Sequence, residues 1–349
     1  MRPAEQILID ELGQMPEGSI LCTSLGRGQF AAAAAKNRLS AAVCCSFLDL
    51  AARNLAETFY PQLPPNLGFE CRADFPEEEF DLFVLPITAS GDAELVRDML
   101  QSGLVRLRSG GKMFVATDNR TDSWLHDELR KLFPKVTRCP AKKGTLFITT
   151  KMEPPRKLKN YECQFAFRDE GRLIQAISRP GVFSHRRLDG GARALLKTAT
   201  VRPGDRVLEL GCGSGVVSLA AALRAEGVQV QAIDSNARAV ECTQRGAELN
   251  GVSNIAVHLN TAEEGAGEEI PEPTFDLVFA NPPYYSNYRI ADIFARRAAH
   301  VLKPGGTALF VTKQSGWYEE RLPELFASVA VEPVGDYIVI RAQARARNR

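Results

Sequence analysis

The chain of 349 residues is 45% hydrophobic and 24% charged, long enough for two domains of ordinary size, and its net charge of +1 supplies no overall field that would draw it to a polyanion. No apolar run approaches the roughly 20 residues needed to cross a bilayer, and the opening MRPAEQILIDELG is amphipathic and acidic without the apolar core of a secretory signal, so a cytoplasmic protein with no membrane anchor is expected. The eight cysteines form no CxxC pair and have no histidine at ligand spacing, which argues against a zinc site and against a disulfide framework; no metal is expected, and the thiols read as reduced and mostly buried.

In chain order, SILCTSLGRG (19–28) predicts a strand running into a glycine turn, AAVCCS (41–46) a second strand, FDLFVLP (80–86) another, and LRSGG leads into a strand within FVATDNRTDSW. MEPPRKLKN then reads as a Pro- and Lys-rich linker, followed by a β-hairpin around Asp169-Glu170-Gly171. From Val201 the alternation is clearer. RVLEL (206–210) is a strand, GCGSG a tight turn, VVSLAAALRAEG a helix ending at Gly227, and VQVQAID a strand closing on Asp234. SNARAVECTQRGAELNG is a helix from Ser235 to Gly251, IAVHLN a third strand, FDLVFA (275–280) a fourth, IADIFARRAAHVLKPGG a helix ending in a Pro-Gly-Gly turn, and TALFVTK the start of a fifth. Such βαβ alternation specifies a mostly parallel sheet with helices on both faces.

The first half repeats the plan of the second. Thirty residues separate Asp81 from Gly111 of LRSGG, and thirty separate Asp276 from Gly306 of LKPGG. The chain is therefore read as an internal duplication: residues 1–152 a degenerate copy without a cofactor site, 153–178 a linker with a hairpin, and 179–349 the copy that carries chemistry. On this pairing Ser24 stands for Gly211, Cys45 for Asp234, and Pro86-Ile87-Thr88 for Asn281-Pro282-Pro283, so the polar features of the second copy are missing from the first.

The loop Gly211-Cys212-Gly213-Ser214-Gly215 follows a strand and opens a helix, where glycines let a ligand approach backbone amides at a helix N-terminus. Asp234, at the end of the next strand, stands where a carboxylate can hydrogen-bond a ribose diol; capping the following helix beside Ser235 would account for it as well. The GxGxG spacing, with Glu209 just before it, fits S-adenosylmethionine better than a dinucleotide, which would show GxGxxG.

FDLVFA runs directly into Asn281-Pro282-Pro283-Tyr284. Two prolines end any ladder there, and a turn is one reading of the segment. The other is a rigid loop at the carboxyl end of a parallel strand, where open α/β sheets keep their sites. An exocyclic amine or an amide nitrogen is a poor nucleophile because its lone pair is delocalised. The Asn281 side-chain oxygen and the Pro282 carbonyl can each accept one amine hydrogen and turn the lone pair toward a methyl donor, while Tyr284 stacks on a planar substrate.

These motifs resemble the class I methyltransferases of the "small" type, and in particular the duplicated ribosomal RNA guanine 2-amino methyltransferases, whose active domain opens with a segment similar to PGVFSHRRLDGGARALL (180–196). The resemblance implies an α/β fold of two tandem Rossmann-like domains with mostly parallel seven-stranded sheets, S-adenosyl-L-methionine as cofactor, and ribosomal RNA or a ribosomal subunit as partner of a monomer. It places Gly211, Gly213 and Gly215 along the methionine portion, Asp234 at the ribose, Asn260 or Thr261 at the adenine, and Asn281, Pro282, Pro283 and Tyr284 in the catalytic loop. Phe183, Ser184 and Asp189 would help close the site beneath the cofactor; loop packing and helix capping are their alternative. The family loop usually has Phe and then His where this chain has Tyr284 and Tyr285. Adenine 6-amino groups and glutamine amides remain alternative targets, and a non-catalytic ribosome-assembly factor the alternative function. Tyr285, Asn287 and Arg289 are further candidate substrate contacts. Basic clusters at 138–143, 156–159, 185–187, 296–297 and in the tail RAQARARNR are ordinarily solvated faces, and only their convergence would make an RNA surface.

Overall fold

The computed structural model describes residues 1–154, 157–262, 274–283 and 288–346. The chain separates into two compact units, Met1–Tyr161 and Glu162–Arg349.

In the first, β1 (Ile20–Thr23), β2 (Val43–Phe47), β3 (Leu67–Cys71), β4 (Phe80–Ile87), β5 (Leu107–Thr117), β6 (Val136–Ala141) and β7 (Gly144–Thr150) make one seven-stranded sheet in the order β3-β2-β1-β4-β5-β7-β6. The helices are α1 (Pro3–Asp10), α2 (Gln29–Asn37), α3 (Leu50–Phe59), α4 (Ala93–Arg106) and α5 (Trp124–Leu132). All four residues of β1 are buried, as a central parallel strand covered on both faces requires.

The second unit opens with the hairpin of β8 (Cys163–Asp169) and β9 (Arg172–Ser178), followed by α6 (Gly190–Thr198). Then come β10 (Arg206–Leu210), α7 (Val216–Arg224), β11 (Gln229–Asp234), α8 (Ala237–Leu249), β12 (Ile255–Leu259), β13 (Phe275–Ala280), α9 (Arg289–Val301), β14 (Leu302–Thr312), α10 (Gly316–Arg321), β15 (Ser328–Val334) and β16 (Tyr337–Gln343). Its sheet has the order β12-β11-β10-β13-β14-β16-β15, strand for strand that of the first. The hairpin packs on α8 and Asn250, which exchanges hydrogen bonds with the Gln175 backbone, so it belongs to this unit rather than to a separate linker.

The likeness of the two sheets extends to single hydrogen bonds. Asn66 donates its side-chain amide to the carbonyls of Ala35, at the end of α2, and Ala41; Asn254 does the same to Ala222, at the end of α7, and Val228. Each satisfies a helix-end carbonyl that the helix itself cannot. Asp81 accepts the Ser19 amide and pairs with Arg108, as Asp276 accepts the Arg206 amide and pairs with Lys303. Both copies also shift register at the same place, between Phe80 and Leu82 and between Phe275 and Leu277. LKPGG is thus an irregular part of β14 rather than a free turn: the strand is already paired at Leu302 and resumes at Thr307.

The register corrects one expected equivalence. Cys45 pairs with Cys22 as Ala232 pairs with Glu209, so Cys45 corresponds to Ala232, and the place of Asp234 falls to Phe47, two residues on. Runs of like hydrophobic strands align equally well shifted by two, because side chains recur on the same face with that period.

In both sheets the chain leaves the first strand to one side for the next two and crosses to the other for the fourth. In the second unit this opens a crevice at the carboxyl ends of β10 and β13.

Candidate active site

β10 delivers the chain into a loop whose three glycines all have positive φ: +76° at Gly211, +56° at Gly213 and +75° at Gly215. A Cβ at Gly215 would lie 2.7 Å from the Thr243 methyl, and one at Gly211 would lie 3.3 Å from the Phe294 ring. At Gly213, by contrast, an added Cβ would meet only the Phe183 carbonyl, at 3.9 Å, among the described residues. Two of the glycines thus admit packing neighbours, and the third leaves backbone open to an incoming group.

Glu209 turns inward. It is 5% exposed, and its carboxyl accepts the Ser218 amide at 2.8 Å and the Ser218 hydroxyl, so it holds the first turn of α7 rather than meeting solvent. Burial pushes its pKa up to about 8 against the opposing pull of those hydrogen bonds.

Asp234 closes β11. One carboxylate oxygen accepts the Gly213 amide and the other the Asn236 amide, each at 2.8 Å. The cap of α8 is Asn236, whose side-chain oxygen accepts from Arg238 and Ala239, so Asp234 ties the glycine loop to the strand end instead of capping the helix. Asn260 donates its backbone amide to the Asp234 carbonyl at 3.0 Å, which sets it at the same rim, and Thr261 beside it is buried.

The segment before α6 is pinned by α8. Asn236 donates to the Gly181 carbonyl and the buried Arg238 to the Pro180 carbonyl. Phe183 is 58% exposed, and its carbonyl is the group facing Gly213. Ser184 has a φ of +55° and gives its hydroxyl to the Arg187 carbonyl, so it serves a tight local turn. Asp189 caps α6, accepting the Gly191 and Ala192 amides, and the same oxygen accepts Asn281 Nδ2 at 3.0 Å.

Asn281 leaves the carboxyl end of β13, with Pro282 buried and Pro283 half-buried behind it. Tyr284, Tyr285 and Asn287 lie outside the described residues. A carboxylate can only accept, so the contact with Asp189 assigns the Asn281 amide nitrogen to it and leaves Oδ1 as an acceptor with no partner among the described residues. Gly191 makes room for this pair: a Cβ there would stand 3.2 Å from both terminal atoms of Asn281 and 2.8 Å from the Asp189 carboxylate. Sequence reasoning passed over Gly191, although the doubled glycine after Asp189 was a signal. It also passed over Tyr288 at the start of α9, which stacks on Trp317 with ring centroids 5.1 Å apart. Arg289 is exposed at the first position of that helix.

Glycine amides, the Asp234 carboxylate and the Asn260–Thr261 segment therefore gather at the ends of β10, β11 and β12, and Asn281 at the end of adjoining β13. A carboxylate beside an open glycine backbone at the strand ends fits a nucleoside carrying an amino-acid chain.

The equivalent loop of the first unit is filled by its own side chains. Ser24 Oγ accepts the amides of Gly26 and Gly28 at 3.0 and 2.9 Å, and Glu5 from α1, fully buried, accepts the Leu25 amide and the Ser24 hydroxyl. The Phe69 ring stands where a Cβ on Gly28 would come within 2.7 Å, and Phe47 packs edge-on against it.

Residues 174–341 match the family model described as Methyltransferase small domain. Among curated relatives, "Ribosomal RNA small subunit methyltransferase C" of Hahella chejuensis is 36% identical over 40% of this chain and 41% of its own length; the protein of the same name from Salmonella arizonae is 29% identical over 65% of each. This chain spans less than half the length of the first of these relatives. A T. thermophilus 16S rRNA N2 guanine methyltransferase, solved with AdoMet and guanosine, superposes with a TM-score of 0.81 at 23% identity, covering 99% of this chain and 92% of its own, which establishes the two-domain fold.

Proposed function

We propose that the second unit, whose residues 174–341 match the Methyltransferase small domain, transfers a methyl group from S-adenosylmethionine to the exocyclic 2-amino nitrogen of a guanine in ribosomal RNA. The observation that carries this reading is the Asn281–Asp189 bond, which leaves the Asn281 oxygen as an acceptor at the carboxyl rim. The names of the curated relatives and the guanosine bound by the T. thermophilus enzyme support the choice of substrate.

The cofactor supplies an electrophilic methyl group on a sulfonium. Gly211, Gly213 and Gly215 would hold its amino-acid end, Asp234 its ribose and Asn260 with Thr261 its base, while Glu209 keeps the loop in shape through Ser218. Asn281 Oδ1 and the Pro282 carbonyl each accept one hydrogen of the substrate amine, so that its lone pair turns away from the purine ring and toward the methyl group. As the new nitrogen–carbon bond forms, the amine becomes acidic, and its proton leaves to water without a dedicated base. Tyr284 stacks on the guanine, which must leave its own helical stack to enter. The first unit binds no cofactor, its loop being closed by Ser24 and Glu5.

The test is transfer of labelled methyl groups to protein-free rRNA, assembled subunits, DNA and release-factor protein, followed by nucleoside mass spectrometry. Label in 2-methylguanosine is expected. Label in 6-methyladenine or in glutamine would overturn the substrate, and cofactor binding without transfer to any of them would favour an assembly factor.

A further inference from the structure

The two copies share their sheet yet differ sharply in charge along one edge. Between Glu128 and Glu153 the first copy carries seven basic residues and no acidic one. The corresponding stretch of the second, between Arg321 and Ala346, carries Glu324, Glu332 and Asp336 against only Arg341 and Arg345. One fold with one strand order therefore bears a basic edge only in the copy whose glycine loop is closed.

The strands decide where that charge collects. β7 begins opposite the end of β5, with Thr145 paired to Thr117, and β6 ends opposite the start of β7, with Ala141 paired to Gly144. The Lys142-Lys143 turn and the loop after β5 thus share the carboxyl rim of the sheet. The Thr145 hydroxyl donates to the Asn119 and Arg120 carbonyls, and Arg138 donates to the Arg120 carbonyl at 3.2 Å, which fixes the loop against the hairpin. Arg120, Arg138, Lys142 and Lys143 are exposed, and none forms an ion pair with a described residue. Asp118, beside them in sequence, is engaged by the Ala89 amide. Of the other basic residues in the stretch, Lys131 pairs with Glu128, Arg130 and Lys151 donate to backbone carbonyls, and Lys135 lies at the opposite end of β6.

We propose that this rim of the first unit, formed by Arg120, Arg138, Lys142 and Lys143, binds the phosphate backbone of the RNA substrate. The inference rests on the rRNA reading of the second unit. Four exposed cations, two at the tip of a well-paired hairpin, one on its β6 strand and one in the adjoining loop, supply sequence-independent affinity, which a base-extruding enzyme needs in order to hold the rest of its RNA. A closed cofactor site and a basic rim together give the degenerate copy a function distinct from methyl transfer.

The test compares the full chain with Lys142→Ala/Lys143→Ala, the same double variant with Arg120→Ala added, and a control of equal charge change, Lys36→Ala/Lys135→Ala, at exposed positions away from the rim. Binding to protein-free rRNA is measured against salt, and KM and kcat for rRNA are measured alongside the Kd for S-adenosylmethionine. The rim variants should raise KM at least tenfold with kcat and cofactor Kd unchanged, and should make the log–log salt slope shallower by about 0.7 to 0.9 per cation removed. The control should do neither. An unchanged slope, or loss that appears only with assembled subunits and points to a ribosomal protein, overturns the proposal. Absence of transfer by the unmodified chain would instead count against the rRNA methylation reading, since binding and its salt slope are read independently of turnover.

Discussion

Asn281 donates its amide nitrogen to the Asp189 carboxylate at 3.0 Å, across 92 residues of sequence, and by doing so settles which end of the amide is left to accept. Asp189→Ala removes both the cap of α6, worth about 0.5–2 kcal/mol, and the orientation of Asn281. It should lower kcat by a factor approaching 10², the cost of a misplaced group, with the cofactor Kd little changed. Gly191→Ala presses on both partners at once, with a Cβ 2.8 Å from the capping Asp189 oxygen and 3.2 Å from the terminal atoms of Asn281, so kcat and the melting temperature should fall together. Normal turnover in both variants would remove this orienting role.

Asp234 and Asn281 should separate binding from chemistry. Asp234→Ala deletes a charged acceptor and releases the Gly213 amide, so cofactor Kd should weaken roughly 10- to 100-fold, equivalent to about 1.5–3 kcal/mol. Asn281→Ala should abolish transfer and leave that Kd nearly intact. Calorimetric titration beside a transfer assay reads both quantities, and equal Kd losses in the two variants would contradict the division.

Gly215→Ala places a side chain at φ +75° and within 2.7 Å of Thr243, whereas Gly204→Ala meets the same kind of backbone, at φ +78°, with no atom within 4 Å. The second should cost about 1–2 kcal/mol from the left-handed backbone alone. The first should cost more by an overpacking penalty of about 1–3 kcal/mol. Urea unfolding of the two variants checks the difference.

Glu209 predicts a pH dependence of stability. Its folded pKa of about 8 lies above the ordinary value of 4.5, chiefly because of burial. The folded chain then retains a proton that the unfolded chain has released, so this group's contribution falls as pH rises from about 5 to 8, with a slope approaching about 1.4 kcal/mol per pH unit. Glu209→Gln keeps an acceptor for Ser218 and should flatten that slope in urea melts at pH 5.5, 6.5 and 7.5. An unaltered slope in the variant would assign the dependence elsewhere.

A single cofactor should bind per chain. Calorimetry should give a stoichiometry of one, and Asp234→Ala should weaken that one event without exposing another. Glu5→Ala should destabilise the first unit by about 1–3 kcal/mol, because the Leu25 amide loses its buried acceptor. Two binding events in the unmodified chain would contradict the closed loop.

By itself the sequence determined the alternation of strands and helices, the duplication and the motifs at the strand ends. These are local quantities: hydrophobic period, glycine and proline placement, and a repeated thirty-residue interval survive in one dimension. RVLEL and FDLVFA are strands within the bounds their residues suggested. Only the tertiary structure decided what each polar group faces. Glu209 and Asp234 stand 25 residues apart as similar carboxylates, yet one is sealed beneath α7 and the other ties the glycine loop at the rim, because strand direction and helix packing determine access to water. The exchange of Cys45 for Phe47 has the same origin: a period of two cannot fix register, whereas hydrogen bonds to the neighbouring strand do. Nor could spacing bring Asp189 to Asn281, Glu5 to Ser24 or Arg120 to Arg138, since each contact joins segments whose separation along the chain is set by the sheet between them.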